Sequence, residues 1–282
     1  MDHRKFIRRA ISALTAAAVF LPCGGCQKGE GDTVSDTLLT VTFLDVGKAD
    51  AIILHSDNST VLIDCGEKGD GKDILARLEE QDITAVDYMI ITHFDKDHVG
   101  GAAKVINNIE VRNVLTPDYE KESEEMDKFL NALNNTGTPQ QKLTEDISFT
   151  LDNISYTVYA PLLTDYGKND ENDFSLVTKA VCGENTLLFT GDAMEQRLAE
   201  IMDIGECTLL KVPYHGRKID NLSEFLDAVK PKCAVVCTSV EDIASSVWEL
   251  LSSKGIASYA TCYNGTITAE CDGKNISITK EK

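Results

Sequence analysis

An apolar run from Val86 to Thr92 ends in His93-Phe94-Asp95-Lys96-Asp97-His98, five potential ligand or charged positions directly after a segment that has to be buried. Charged and imidazole side chains leave an apolar interior unless they are paired or bound to a metal. On an extended path residues 93, 95 and 97 point to one side, and the turn into the next segment brings His98 round to join them. Mixed nitrogen and oxygen donors suit Zn²⁺ or Mn²⁺, the carboxylates favouring the harder ion. The plainer alternative is a helix start that carries surface charge.

The chain has 282 residues, enough for one large domain behind a leader. Strand-forming runs cover 38–46, 51–55 and 60–65, with Asp57-Asn58-Ser59 as a turn. Helical spacing follows over 72–81, then the strand 86–92, a helix over 98–107, a short strand 111–115 and a charged helix over 120–133. Hairpins are expected at 147–151 with 154–159, and at 174–182 with 186–190. Beyond them, helices 193–202, 222–229 and 243–253 alternate with strands 208–212, 233–238 and 257–261, and a hairpin of 266–269 with 276–278 closes the chain. An all-parallel doubly wound sheet is the main rival, and hairpins in both halves argue against it. The pattern predicts an α/β fold, a four-layer αββα sandwich with mixed sheets, over 38–282.

His93-x-Asp95-x-Asp97-His98-Val99-Gly100-Gly101 resembles the signature of metallo-β-lactamase fold hydrolases. More narrowly, it is similar to the hydrolase domain of ComEC-type competence proteins and their free-standing relatives, which carry aspartate where the superfamily has a second histidine. Four further segments match in order: Phe43-Leu44-Asp45-Val46-Gly47-Lys48-Ala49-Asp50-Ala51, Val61-Leu62-Ile63-Asp64-Cys65-Gly66, Leu188-Phe189-Thr190-Gly191-Asp192 and Lys211-Val212-Pro213-Tyr214-His215-Gly216. Lys48, Ala49 and Tyr214 depart from the family's pattern. The resemblance implies two divalent ions, Zn or Mn. His93 and Asp95 would hold one, Asp97 and His98 the second, with Asp192 bridging and His215 completing the second site. Asp97 would orient the attacking water or take its proton. No histidine stands between His98 and His215, so the first site lacks an imidazole and is expected to be weak. The segment Asn172-Asp173-Phe174-Ser175-Leu176-Val177 resembles the family's at that point, and leaves Asn172 or Ser175 to fill the gap as ligand, through water or against substrate. Arg217 is a candidate grip on a phosphate oxygen or a solvated cation. Asp45 and Asp50 are candidates to orient a ligand or to cap a turn.

The N-terminus reads as an export signal over 1–25: Arg4, Lys5, Arg8 and Arg9, an apolar run, then Cys23-Gly24-Gly25-Cys26. It resembles a bacterial lipoprotein signal, with Cys26 lipidated as a membrane anchor, although Cys23 stands where an aliphatic residue is usual. Residues 26–37 form a polar tether. Losing 1–25 removes four basic residues and one acid, which takes the net charge from −19 to −22. Such a surface repels nucleic acid at long range, but a metal pair can reverse the sign locally and admit a small anion. Seven further cysteines, an odd number mostly in apolar runs, read as buried thiols.

Three functions follow as expectations. One is a phosphodiesterase or nuclease with DNA as substrate, in which a water held between two metals ionises near neutral pH and attacks phosphorus. The second is a hydrolase of a small or cell-envelope phosphoester. The third is a non-catalytic or single-metal binding lipoprotein of the same fold.

Overall fold

The computed structural model describes residues 37–167 and 171–282. The expected signal, Cys26 and all of the tether except Thr37 lie outside the described residues. Two mixed sheets face one another. The eight-stranded sheet runs in the order Ile276–Lys280, Ile267–Cys271, Leu39–Phe43, Ile52–His55, Thr60–Ile63, Tyr88–Ile90, Val114–Pro117 and Gln140–Leu143. Its first five strands pair antiparallel and the rest parallel. The seven-stranded sheet runs Ala257–Ala260, Cys233–Val236, Leu209–Lys211, Asn185–Phe189, Val177–Cys182, Ile154–Tyr159 and Ile147–Leu151, its first four strands parallel and the rest antiparallel.

Strand periodicity sends alternate residues to opposite faces, which divides the apolar residues into three layers. Phe43, Leu54, Ile63, Ile90, Val158, Leu187 and Phe189 fill the space between the sheets. Leu62, Met89 and Val114 point outward under the helices Gly71–Glu80, Ala102–Ile106 and Glu124–Thr136, while Leu188, Leu210 and Val236 lie under Glu195–Glu200, Leu222–Val229 and Ser245–Ser253. This is the αββα sandwich expected from the sequence. Glu124–Thr136 shows how local sequence sets an element. Ser123 Oγ accepts from Met126 N at 3.1 Å, and Gly137 ends the helix in the left-handed region. Met126, Phe129 and Leu133 share its buried face, and burying Phe129 alone contributes about 2–3 kcal/mol.

Some boundaries differ from expectation. The helix expected over 98–107 is two short pieces, Lys96–Val99 and Ala102–Ile106, parted at Gly100-Gly101. A Cβ on Gly101 would stand 2.1 Å from the Cys65 carbonyl oxygen, so these glycines bring the ligand loop against the 64–66 loop. The strand expected over 86–92 stops at Ile90, with Ala85–Val86 pairing separately with Glu110–Val111. Gln140–Leu143 is an edge strand too polar to be read from its pattern.

Candidate metal centre

The candidate residues stand where strands of both sheets end on one rim. Thr60–Ile63 leads to Asp64, Tyr88–Ile90 to Thr92 and His93, Asn185–Phe189 to Asp192, and Leu209–Lys211 to His215. Asp50 lies in the connection before Ile52–His55. Open sheets leave such a crevice beyond their strand ends, where side chains from distant segments meet. The backbone is tightly shaped there. Gly191, at φ +52, packs so close that a Cβ would lie 2.8 Å from Thr92 Cβ. Asp64, Tyr214 and His215 take positive φ of 57, 50 and 51, at about 1–3 kcal/mol of backbone strain each.

Each of the three imidazoles has one nitrogen occupied by the protein. His98 Nδ1 bonds Asp64 Oδ2 at 2.7 Å, His215 Nδ1 donates to the Cys237 carbonyl at 2.9 Å, and His93 Nδ1 lies 3.1 Å from Thr92 Oγ1. Asp64 is itself locked by Thr92, whose N–H and hydroxyl donate to its two oxygens at 2.8 and 2.7 Å. The three Nε2 atoms are thereby left for one centre, the arrangement that orients a histidine toward a metal. His98 Nε2 and His215 Nε2 are 3.3 Å apart, and Asp192 reaches them at 3.5 Å (Oδ1) and 3.0 Å (Oδ2). His215 Nε2 lies 3.5 Å from Asp97 Oδ2. Two convergent groups result: Asp97 with His98 and His215, and His93 with His98 and Asp192. His93 Nε2 and Asp192 Oδ1 are buried without a hydrogen-bond partner. Orphaned buried donors of this kind, beside carboxylates, fit a divalent cation.

Neighbouring charges shift the ionisable groups of the cluster. Burial works against charging His98, but Asp192 and Asp64 outweigh it and hold the imidazole well above its ordinary range. His215 is raised likewise against its burial, chiefly by Asp192. Burial would raise Asp192 and Asp97, yet His215 and His98 pull Asp192 well down, and His215, His98 and Lys48 do the same for Asp97. Asp95 is lowered chiefly by the neighbouring His93 imidazole, against its burial, with Lys121 adding to the effect. Lys211, fully buried, pairs with Asp50 and donates to the Gly191 carbonyl at 2.9 Å.

The remaining candidates separate clearly. Asp95 lies 3.6 Å (Oδ2) from His93 Nε2, and its other oxygen is bound by Lys121, which also pairs with Glu171. It belongs to neither convergent group. Ser175 Oγ accepts from the Asp192 amide at 3.2 Å and so supports that residue's backbone. Asn172 Nδ2 contacts Met194 Sδ at 3.4 Å, while its buried Oδ1 has no partner. Arg217 pairs with Asp242 and lies over the Tyr214 ring, 5.4 Å from its centroid. Asp50 approaches His215 Nδ1 at 3.6 Å, whereas Asp45 turns away to Lys282 at 3.0 Å. Cys65, Cys182, Cys207, Cys237 and Cys271 are buried free thiols, and Cys233 and Cys262 are half-buried and free.

Sequence reasoning gave no role to Asp64, Lys48 or Lys121. An aspartate closing the apolar run Val61-Leu62-Ile63 is the same kind of signal as His93 and could have revealed Asp64. Lys121 meets Asp95 across 26 residues, with no local pattern to mark it.

Helix-covered mixed sheets with imidazoles and carboxylates gathered at their strand ends define the metallohydrolase class. Residues 44–240 match the Metallo-beta-lactamase superfamily, and the chain belongs to it. It is similar to ComE operon protein 3 of Bacillus subtilis (strain 168), 25% identical over 268 residues, covering 86% of this chain and 33% of that protein. It is also 25% identical over 203 residues to Recombination protein 2 of Haemophilus influenzae (strain ATCC 51907 / DSM 11121 / KW20 / Rd), covering 70% of this chain and 24% of that one. The chain thus spans a third or less of these relatives' length. Among solved structures, the metallo-beta-lactamase fold protein YhfI from Bacillus subtilis shares the fold at TM-score 0.55 and 11% identity, covering 83% of this chain and 100% of that one. Igni18, a metallo hydrolase from Ignicoccus hospitalis KIN4/I, does so at TM-score 0.52 and 13% identity, covering 81% and 98%.

Proposed function

We propose that this chain hydrolyses a phosphate ester, a diester by preference, with a divalent ion held by Asp97, His98, Asp192 and His215. The supporting observation is the meeting of His98 and His215 Nε2 with Asp192 and Asp97, each imidazole fixed from behind by the protein. A bound ion, Zn²⁺ or Mn²⁺, supplies Lewis acidity and a water ionised near neutral pH. Asp97, with one oxygen toward His215, is the candidate to orient that water and accept its proton. Asp192 is kept ionised by the imidazoles and Lys211, and its backbone is steadied by Ser175. Asn172, whose buried Oδ1 has no partner, is the candidate to accept a hydrogen bond from a water or a hydroxyl of the substrate. His93 with Asp95 forms a second, weaker place for an ion, because Lys121 already neutralises Asp95.

A net charge of −19 favours a small or envelope phosphoester over long DNA. The likeness to a ComE operon protein and a recombination protein keeps DNA among the substrates to be tried. Full chain loaded with Mn²⁺ or Zn²⁺ is to be offered bis(p-nitrophenyl) phosphate, phosphorylcholine esters and single-stranded DNA. Turnover of at least one, reduced at least about a hundredfold by Asp192→Asn, is the expected result. No turnover with either metal supports the non-catalytic binding reading instead. We also propose export and anchoring through Cys26, on the basic and apolar residues that precede it. Cys26→Ser should move the chain out of the membrane fraction, and an unchanged distribution refutes the anchor.

A further inference from the structure

Three lysines among the described residues touch the cluster, and they differ in what holds them once an ion is bound. Lys211 is fully buried and keeps both Asp50 and the Gly191 carbonyl. Lys121 keeps Glu171 when Asp95 turns to another partner. Lys48 has a single carboxylate partner, Asp97, which is itself a candidate ligand. Its side chain is 29% exposed, so the ammonium stands between solvent and the buried cluster. Arg217, two residues after His215, is neutralised by Asp242, which is no candidate ligand.

We propose that Lys48 is the anion-recognising residue of this site: with Asp97 committed to a divalent ion, its ammonium binds a non-bridging oxygen of the substrate's phosphate. The chemical logic is displacement of one partner by another. A carboxylate shared with a divalent ion is a poorer acceptor for an ammonium, and a partly buried ammonium that loses its partner gains most from a new anion. Arg217, already compensated by Asp242, is the weaker candidate for this contact. The chain's departure from its family's pattern at position 48 thereby becomes a feature of substrate choice. The inference rests on the metallo-phosphoesterase reading above.

The test uses the full chain loaded with Mn²⁺ or Zn²⁺, as wild type, Lys48→Met and Lys48→Arg, with inorganic phosphate as probe. Lys48→Met should weaken phosphate binding by about tenfold or more, and raise KM for bis(p-nitrophenyl) phosphate more than it lowers kcat. Metal per chain should stay that of wild type, and Lys48→Arg should recover most of the phosphate affinity. Unchanged phosphate affinity in Lys48→Met overturns the proposal. So does a parallel loss of metal, which would make Lys48 a support for Asp97. If wild type turns over no phosphoester, the phosphoesterase reading falls, while the phosphate comparison still decides the role of Lys48.

Discussion

Asp64 shows how much of a metal site lies one residue behind its ligands. Its left-handed backbone and double grip from Thr92 fix the carboxylate that holds His98 Nδ1. Asp64→Ala should therefore cost about 10- to 100-fold in metal affinity while the sheets stay intact, as read by competition with a chelator and by circular dichroism. Full metal affinity in that variant would leave His98 oriented by something else. The protonation pattern makes a second prediction. His98 and His215 are raised in the metal-free chain, so they stabilise it fully below their unfolded pKa of about 6.5 and lose that contribution as pH rises through their folded values. Asp97 and Asp192 are depressed; they stabilise above about pH 4 and lose it only as pH falls through their folded values, in strong acid. An ion must displace any proton on the ligating imidazole nitrogens, so loading near pH 7 should release protons. Calorimetry in buffers of different ionisation enthalpy reads this directly, and a heat that does not vary with buffer contradicts it.

At the scale of elements, the close approach of Gly191 to Thr92 sets the reach of Asp192 toward the histidines. Gly191→Ala adds a Cβ at 2.8 Å from Thr92 and forces a side chain into φ +52. The expected outcome is a loss of about 2 kcal/mol or more in stability, with lower metal content; a variant matching wild type in Tm and metal would show that this close approach does not set the site. The same elements show what a sequence reveals and conceals. Runs such as Val61-Leu62-Ile63 and Leu187-Leu188-Phe189 announce buried strands because both faces of each sheet are covered, so their positions and the polar residues ending them were legible. Gln140–Leu143 was not, since an edge strand needs no apolar pattern to pair with Val114–Pro117. The break at Gly100-Gly101 was hidden as well, because its cause is the Cys65 carbonyl, a neighbour only in the folded chain. His93, Asp97, His98, Asp192 and His215 could be grouped from motifs alone. Lys48 and Lys121 could not, because ion pairs across 49 and 26 residues leave no periodicity.

At the scale of the molecule, two half-antiparallel, half-parallel sheets put residues from four distant segments on one rim, and helices cover both outer faces. The candidate metal centre gathers three imidazoles with the carboxylates of Asp97 and Asp192 in a chain of net charge −19. Metal content per chain, by elemental analysis of wild type and Asp192→Asn after identical loading and desalting, tests this most directly. Wild type should retain at least about one equivalent of Zn²⁺ or Mn²⁺, and Asp192→Asn, deprived of the carboxylate that reaches both His98 and His215, should retain far less. A wild type that leaves the column without metal, or a variant that holds as much, would contradict the convergence of these residues on a divalent ion.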